Sequence, residues 1–191
     1  MKKVAHLIRI ITISPIMVTM FLLYMYFGNH NLDINTHSYV IAICCLIILP
    51  VLAYPIQKIF KPIKIGDARK SERILAIIFS IVGYIIGFIL SFILKSHNYE
   101  KIFYLTYLFS GIFIALFSFV FKINASGHMA GVVGPILIIM YLFNSHFYLI
   151  TIIVLVFISS LIKKRHNVVE LLLGSLIPIA SFFISLLIFI K

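Results

Sequence analysis

The feature that most constrains this chain is the spacing of its apolar runs. Predominantly apolar stretches recur at about 10–27, 39–56, 74–94, 102–121 and 168–190, and roughly 20 such residues in a helix cross the ~30 Å hydrocarbon core of a bilayer. Two shorter runs, about 129–143 and 147–162, need a separate argument. As one straight helix of 34 residues they would extend roughly 51 Å at 1.5 Å per residue, longer than the bilayer is thick, so a hairpin turning at Asn144-Ser145 is expected. The expected fold is therefore all-α: a polytopic membrane helix bundle with seven crossings, or six if the first run or the short hairpin does not fully cross. It forms a single transmembrane domain over 1–191.

Composition agrees. With 63% hydrophobic and 11% charged residues, the chain carries more apolar surface than one water-soluble core of this size could hide. Lys2, Lys3 and Arg9 flank the first run as they would in a signal peptide, but YMYFGNHNLD follows without a small-residue cleavage pattern, so a retained anchor is expected. Adjacent Cys44 and Cys45 read as packing residues, because a bridge between neighbours would be strained and metal spacing is absent. The net charge of +11 does not point to nucleic acid, since no loop is long enough for a recognised binding module. Its distribution says more. With seven crossings, 13 of the 16 Lys and Arg residues fall on one face, in the amino terminus and the 57–73, 122–128 and 163–167 loops, leaving Lys95, Lys101 and Lys191 on the other. The positive-inside rule makes the basic face cytoplasmic, although phosphate-binding residues would bias the same count.

Three polar islands lie on that face: IGDARKSER (65–73), KINASGH (122–128) and KKRHNVVE (163–170). Each directly precedes an apolar run, so its last residues occupy a first helical turn, where unpaired N–H groups and the dipole favour an anion such as phosphate. In the middle island Ser126 is a good N-cap, Gly127 allows close approach to the backbone, and His128 opens the helix; plain capping is the alternative. Met129, Ala130, Gly131 and Gly134 suit close helix packing. In the third island His166 and Glu170 are four apart on one helical face, where the carboxylate can accept the Nδ1 proton and leave Nε2 as a nucleophile. The alternative is an interfacial ion pair worth a few tenths of a kcal/mol. Glu170 is the only acid in the last 91 residues, and at the start of an apolar run it needs a partner. In the first island Arg73 is the residue best placed to hold two phosphate oxygens. His6, His30, His37, His97 and His146 carry no spacing signature. No HExxH, CxxC or carboxylate cluster suggests a metal, and no G-x-S-x-G suggests a serine hydrolase. Few charges fall at mid-membrane depth, which weighs against an ion-coupled transporter.

These islands, in this order, resemble the motifs of the type 2 phosphatidic acid phosphatase superfamily of membrane lipid phosphatases, K-x6-R-P, P-S-G-H and S-R-x5-H-x3-D. The most specific match is A-S-G-H at 125–128; His166 and Glu170 match H-x3-D with glutamate for aspartate, and the resemblance covers about residues 57–180. The chain departs from the pattern at Ile74 and Gly66 around Arg73, at Ala125, and at Ser160, where the third-motif arginine would fall. The resemblance implies a cofactor-free, metal-independent phosphatase acting on phosphatidate, a prenyl pyrophosphate or a related lipid within the membrane. His166 would form a phosphohistidine, Glu170 would orient it, and His128 would protonate the leaving group. Arg73, Lys122, Ser126, Gly127, Lys164 and Arg165 would hold the phosphate oxygens, one of the lysines or Arg165 standing in for the absent arginine. The alternatives are a catalytically weakened relative that binds anionic lipid head groups and a small membrane transporter.

Overall fold

A computed structural model describes residues 2–28, 35–64, 68–143, 147–163 and 166–189. Among them every regular element is a helix: α1 (Lys2–Ile11), α2 (Ser14–Phe27), α3 (Thr36–Ile43), α4 (Leu49–Phe60), α5 (Ala68–Ile93), α6 (Asn98–Phe119), α7 (Gly127–Phe143), α8 (Ile150–Ile162) and α9 (Val168–Phe189). A π turn, Cys44–Ile48, joins α3 to α4, and a 3-10 turn, Phe147–Leu149, leads into α8.

Four helices are long and apolar enough to cross a membrane: the continuous α3–α4 unit Thr36–Phe60, α5, α6 and α9. A fifth span results if α1 and α2, bent by 51° at their junction, are taken together. The bend falls where Ile13 is extended (ψ 144°) and Pro15 enters the first turn of α2, a position that needs no proline N–H. The expected six or seven crossings also counted α7 and α8. At 17 and 13 residues, or roughly 26 and 20 Å, these are shorter apolar helices and fall below the length of a full span. Their expected turn at Asn144-Ser145 lies outside the described residues, as do His30 and His146.

The spans leave little polar surface inside. Thr106, Ser110, Ser181 and Ser185 are buried, and each hydroxyl donates to the carbonyl four residues earlier, which removes the cost of burying it. Small residues allow close approach: an added Cβ at Gly83 would strike the Cys45 carbonyl and one at Gly131 would strike Ser14. The expected packing role of Gly131 is therefore realised, between α2 and α7. Cys45 is buried, Cys44 is exposed, and both are free thiols. Phe21, Phe103, Tyr104, Tyr107 and Phe182 fill one core, while Met129, Val132, Ile136, Val156 and Leu171 fill another beneath the polar end. Exposed Ile85, Ile89, Leu172, Leu176 and Phe183 line the outer faces of α5 and α9, as lipid-facing side chains would.

Chain direction places the starts of α5, α7 and α9 and the ends of α4, α6 and α8 at one end of the bundle. The other end is marked by Ser38 Oγ hydrogen-bonding Ser96 Oγ at 3.2 Å, between the starts of α3 and α6. The described parts of all three polar islands thus lie at one end, and α1 joins them by packing against α8.

Candidate functional site

The site is built from helix starts. Asn167 and Glu170 cap α9 reciprocally: the Glu170 N–H donates to Asn167 Oδ1 at 2.8 Å and the Asn167 N–H donates to Glu170 Oε2 at 3.3 Å. This is a capping box with asparagine in the Ser/Thr role. The same Oε2 lies 2.8 Å from His166 Nδ1. A carboxylate oxygen only accepts, so Nδ1 carries the proton and Nε2 keeps its lone pair. His166 and Glu170 remain 20% and 18% exposed, which leaves them within reach of a ligand.

The middle island is bound directly to this pair. The Ser126 N–H donates to the Glu170 carbonyl at 2.9 Å. The approach requires Gly174 one turn along α9, where an added Cβ would lie 2.5 Å from the Ser126 carbonyl oxygen and 2.9 Å from its Cβ. The first island closes the group, because Arg73 Nη2 donates to the Ala125 carbonyl at 2.9 Å and to Ser118 Oγ at 3.2 Å. Arg73 also lies within electrostatic reach of Glu170. Its Nε and Nη1 donors have no hydrogen-bond partner among the described residues.

His128, in the first turn of α7 and outside the membrane-length helices, is held from an unexpected side. Its Nε2 is 3.2 Å from Thr12 Oγ1, whose single hydroxyl proton is directed to the Ile8 carbonyl at 2.8 Å. The imidazole is therefore the donor, and Nδ1 is left with the lone pair. Burial, then electrostatic interaction with Arg9 and His166, push its pKa down from 6.5 to about 4, so the folded protein holds it neutral. His6, Arg9, Ile10, Ile13, His128 and Lys163 together line a cavity of about 230 Å³.

The predicted phosphate-binding residues fare differently. Gly127 is exposed, with nothing within 4 Å of where a side chain would begin, and the N–H groups of Gly127 and His128 have no partner among the described residues. Ser126 corrects the expectation: it is fully buried, its N–H is committed to Glu170, and its Oγ accepts from the Met129 N–H at 3.3 Å. It serves as a helix cap, and its full burial keeps its hydroxyl from a ligand at the exposed end of the site. Lys122 is exposed just past α6 with φ of 57°, and its ammonium makes no ion pair among the described residues. Lys164 and Arg165 lie outside the described residues. Ser160 is 1% exposed inside α8, so no cation stands at its position.

Sequence reasoning missed Asn167, Thr12, Arg9, His6 and Lys163 as parts of the site. The N-x-x-E spacing at 167–170 could have revealed the first, and the i, i+3 spacing of His6 and Arg9 beside exposed Val4, Leu7 and Ile11 could have marked α1 as an amphipathic helix.

Comparison of the chain with protein-family models, curated proteins and solved structures finds no match. Fold and site together define an all-α protein, compatible with integral membrane insertion, that gathers two imidazoles, a carboxylate and an arginine at one end of its bundle.

Proposed function

We propose that the protein is a multi-pass membrane lipid-phosphate phosphatase of the type 2 phosphatidic acid phosphatase kind, acting without metal through a phosphohistidine on His166. The observation that carries this reading is the hydrogen bond from the Ser126 N–H to the Glu170 carbonyl. It brings the start of the His128 helix against the His166–Glu170 pair, although the two segments are some forty residues apart in sequence.

The chemistry follows from the donors. His166 Nε2 attacks phosphorus in line, and the phosphorus–oxygen bond to the lipid breaks. Glu170 holds the imidazole and offsets the positive charge it develops. The N–H groups of Gly127 and His128, with the remaining Arg73 donors, receive the non-bridging oxygens. His128 carries the proton: protonated once the anion is bound, it supplies the leaving oxygen, and as a neutral base at Nδ1 it then takes a proton from the water that cleaves the N–P bond. Helices with apolar outer faces leave the lipid tail in the bilayer while its head reaches the polar end.

A second reading, a relative that binds anionic head groups without turnover, is favoured by buried Ser160 and by the capping roles of Ser126 and Glu170. The test is release of phosphate from a lipid phosphate by purified protein in the presence of a chelator. Phosphatase action requires release by the wild type, an acid-labile phosphoenzyme, and loss of both in His166→Ala. An inert wild type that still binds anionic vesicles would establish the second reading instead.

A further inference from the structure

We propose that a pocket at the end of the bundle opposite the three polar islands binds a quaternary ammonium group through aromatic rings and the Glu100 carboxylate. The pocket lies between α2, α3, α6 and α7, and Phe21, Tyr39, Tyr99, Phe103, Tyr104 and Glu100 line it. Its volume of about 40 Å³ is about three times what a single water needs, the scale of a small ammonium head. Ser38, also in the lining, places it beside the Ser38–Ser96 hydrogen bond that marks this end. Glu100 and Tyr99 are half-buried, whereas Phe21, Phe103 and Tyr104 are buried, so the pocket opens on its acidic side. None of this depends on the chemistry assigned to His166.

Glu100 stands third in α6, after the N-cap His97, where a glutamate ordinarily accepts from the N-cap N–H. That bond is not made, and the carboxylate has no hydrogen bond or ion pair among the described residues. Lys101 follows it directly, yet its ammonium lies over the Phe92 ring, 5.0 Å from the centroid. The α6 dipole favours a carboxylate here, but a half-buried one among rings has lost hydration that a bound cation would offset. The lining selects the kind of cation. A metal ion needs several oxygen ligands, and Glu100 is the only carboxylate present; a primary ammonium has three N–H donors to satisfy. A methylated ammonium needs no acceptors, and aromatic faces attract its charge. The rings are also fixed in advance. Phe21 stacks on Phe103 at 4.8 Å and Tyr39 on Tyr26 at 4.4 Å, while Tyr104 packs so closely on α5 that a Cβ at Gly87 would strike its ring. A preformed cage avoids the cost of ordering side chains on binding.

The experiment titrates full-length protein in non-ionic detergent micelles, by calorimetry at constant ionic strength, with choline and with its neutral isostere 3,3-dimethylbutanol. Choline is expected to bind at least about tenfold more tightly than the isostere. Glu100→Gln and, independently, Tyr99→Leu should each weaken choline binding by at least about tenfold. Either variant eluting as a monodisperse species serves if the other does not fold. Equal binding of the two probes by the wild type would reduce the site to an apolar pocket and overturn the proposal. Absence of choline binding, or an affinity that survives both substitutions, would overturn it too. His166→Ala should bind choline as the wild type does, and loss of binding there would refute a site separate from the polar islands. Dihexanoylphosphatidylcholine distinguishes the sources of the group: tighter binding than choline assigns a lipid head group, and equal or weaker binding assigns a free amine.

Discussion

Gly174 offers the sharpest test of how the site is assembled, because it lies beneath the site and contributes no chemistry. An alanine there would place a Cβ 2.5 Å from the Ser126 carbonyl oxygen, against 3.4 Å for an ordinary contact. The obstruction is backbone and cannot rotate away, so α9 and the 120–126 segment must separate by up to about 0.9 Å. Added to the 2.9 Å bond from the Ser126 N–H to the Glu170 carbonyl, that shift carries it beyond hydrogen-bond range. Overpacking of this kind costs about 1–3 kcal/mol, and misplacing reacting groups by ~1 Å can cost on the order of 10²-fold in rate. Gly174→Ala is therefore expected to lower the thermal midpoint in detergent and to cut phosphate release by one to two orders of magnitude. Gly127→Ala is the control, since nothing lies within 4 Å of its added methyl: its stability should match the wild type, with any loss confined to turnover. A Gly174→Ala protein with wild-type midpoint and wild-type turnover would refute the contact between the two islands.

Three further predictions use other parts of the site. Glu170→Gln keeps a side chain competent for the capping box but removes the charge that supports His166, so the midpoint should fall little while turnover drops by about 10²-fold or more. Loss of stability in step with turnover would mean that Glu170 acts as a cap alone. His128 is held near 4 in the folded protein against an ordinary 6.5, through burial first and electrostatic interaction with Arg9 and His166 second. Between those values the unfolded chain binds the proton that the folded chain refuses, so stability should decline as pH falls from about 6.5 towards 4. Thermal midpoints against pH should show that slope and lose it in His128→Gln; a flat wild-type profile contradicts the burial of this imidazole. For sidedness, a cysteine at exposed Lys61, in Cys44→Ser/Cys45→Ser protein, should resist an impermeant thiol reagent in intact cells if the basic face is cytoplasmic. Rapid labelling would place that face outside.

What the sequence made legible was local. The pairing of His166 with Glu170 was readable from their four-residue spacing, although His166 stands before α9 and meets Glu170 across the Asn167 cap instead of along a helical turn, and α5, α6 and α9 follow from apolar length alone. Arg73 was readable as a cation at the edge of an apolar run, but the expected first-turn position is not realised: α5 begins at Ala68 and Arg73 falls in its second turn. Contacts set by tertiary packing were not readable. Gly174 looks like any small residue in an apolar helix until the 120–126 segment is seen against it. The N-terminal basic residues read as topology determinants, and only the 51° bend at Thr12–Pro15 turns α1 back so that Thr12 meets His128. Ser126 was readable as a cap type, but which acceptor would take its N–H depended on a segment some forty residues away.

The caps also decide which backbone donors remain open to the proposed anion. A helix start has orphan N–H donors, and three islands before three helices suggested three sets of them. In α9 the Asn167–Glu170 box satisfies two of those donors, and in α7 Ser126 Oγ takes the Met129 N–H while the Ser126 N–H goes to Glu170. At these two helix starts the donors still open among the described residues are the N–H groups of Gly127 and His128 on α7 and of Val168 and Val169 on α9. A phosphate dianion seated there needs charge as well as dipoles, because in a partly buried site its lost hydration must be replaced. The nearby guanidiniums are Arg73, with part of its fork turned to Ala125 and Ser118, and Arg9, brought in by α1. The absence of a cation at Ser160 is then matched, in physical terms, by the presence of one on a different helix. The folding of α1 onto α8 becomes part of the site's electrostatics as well as its packing.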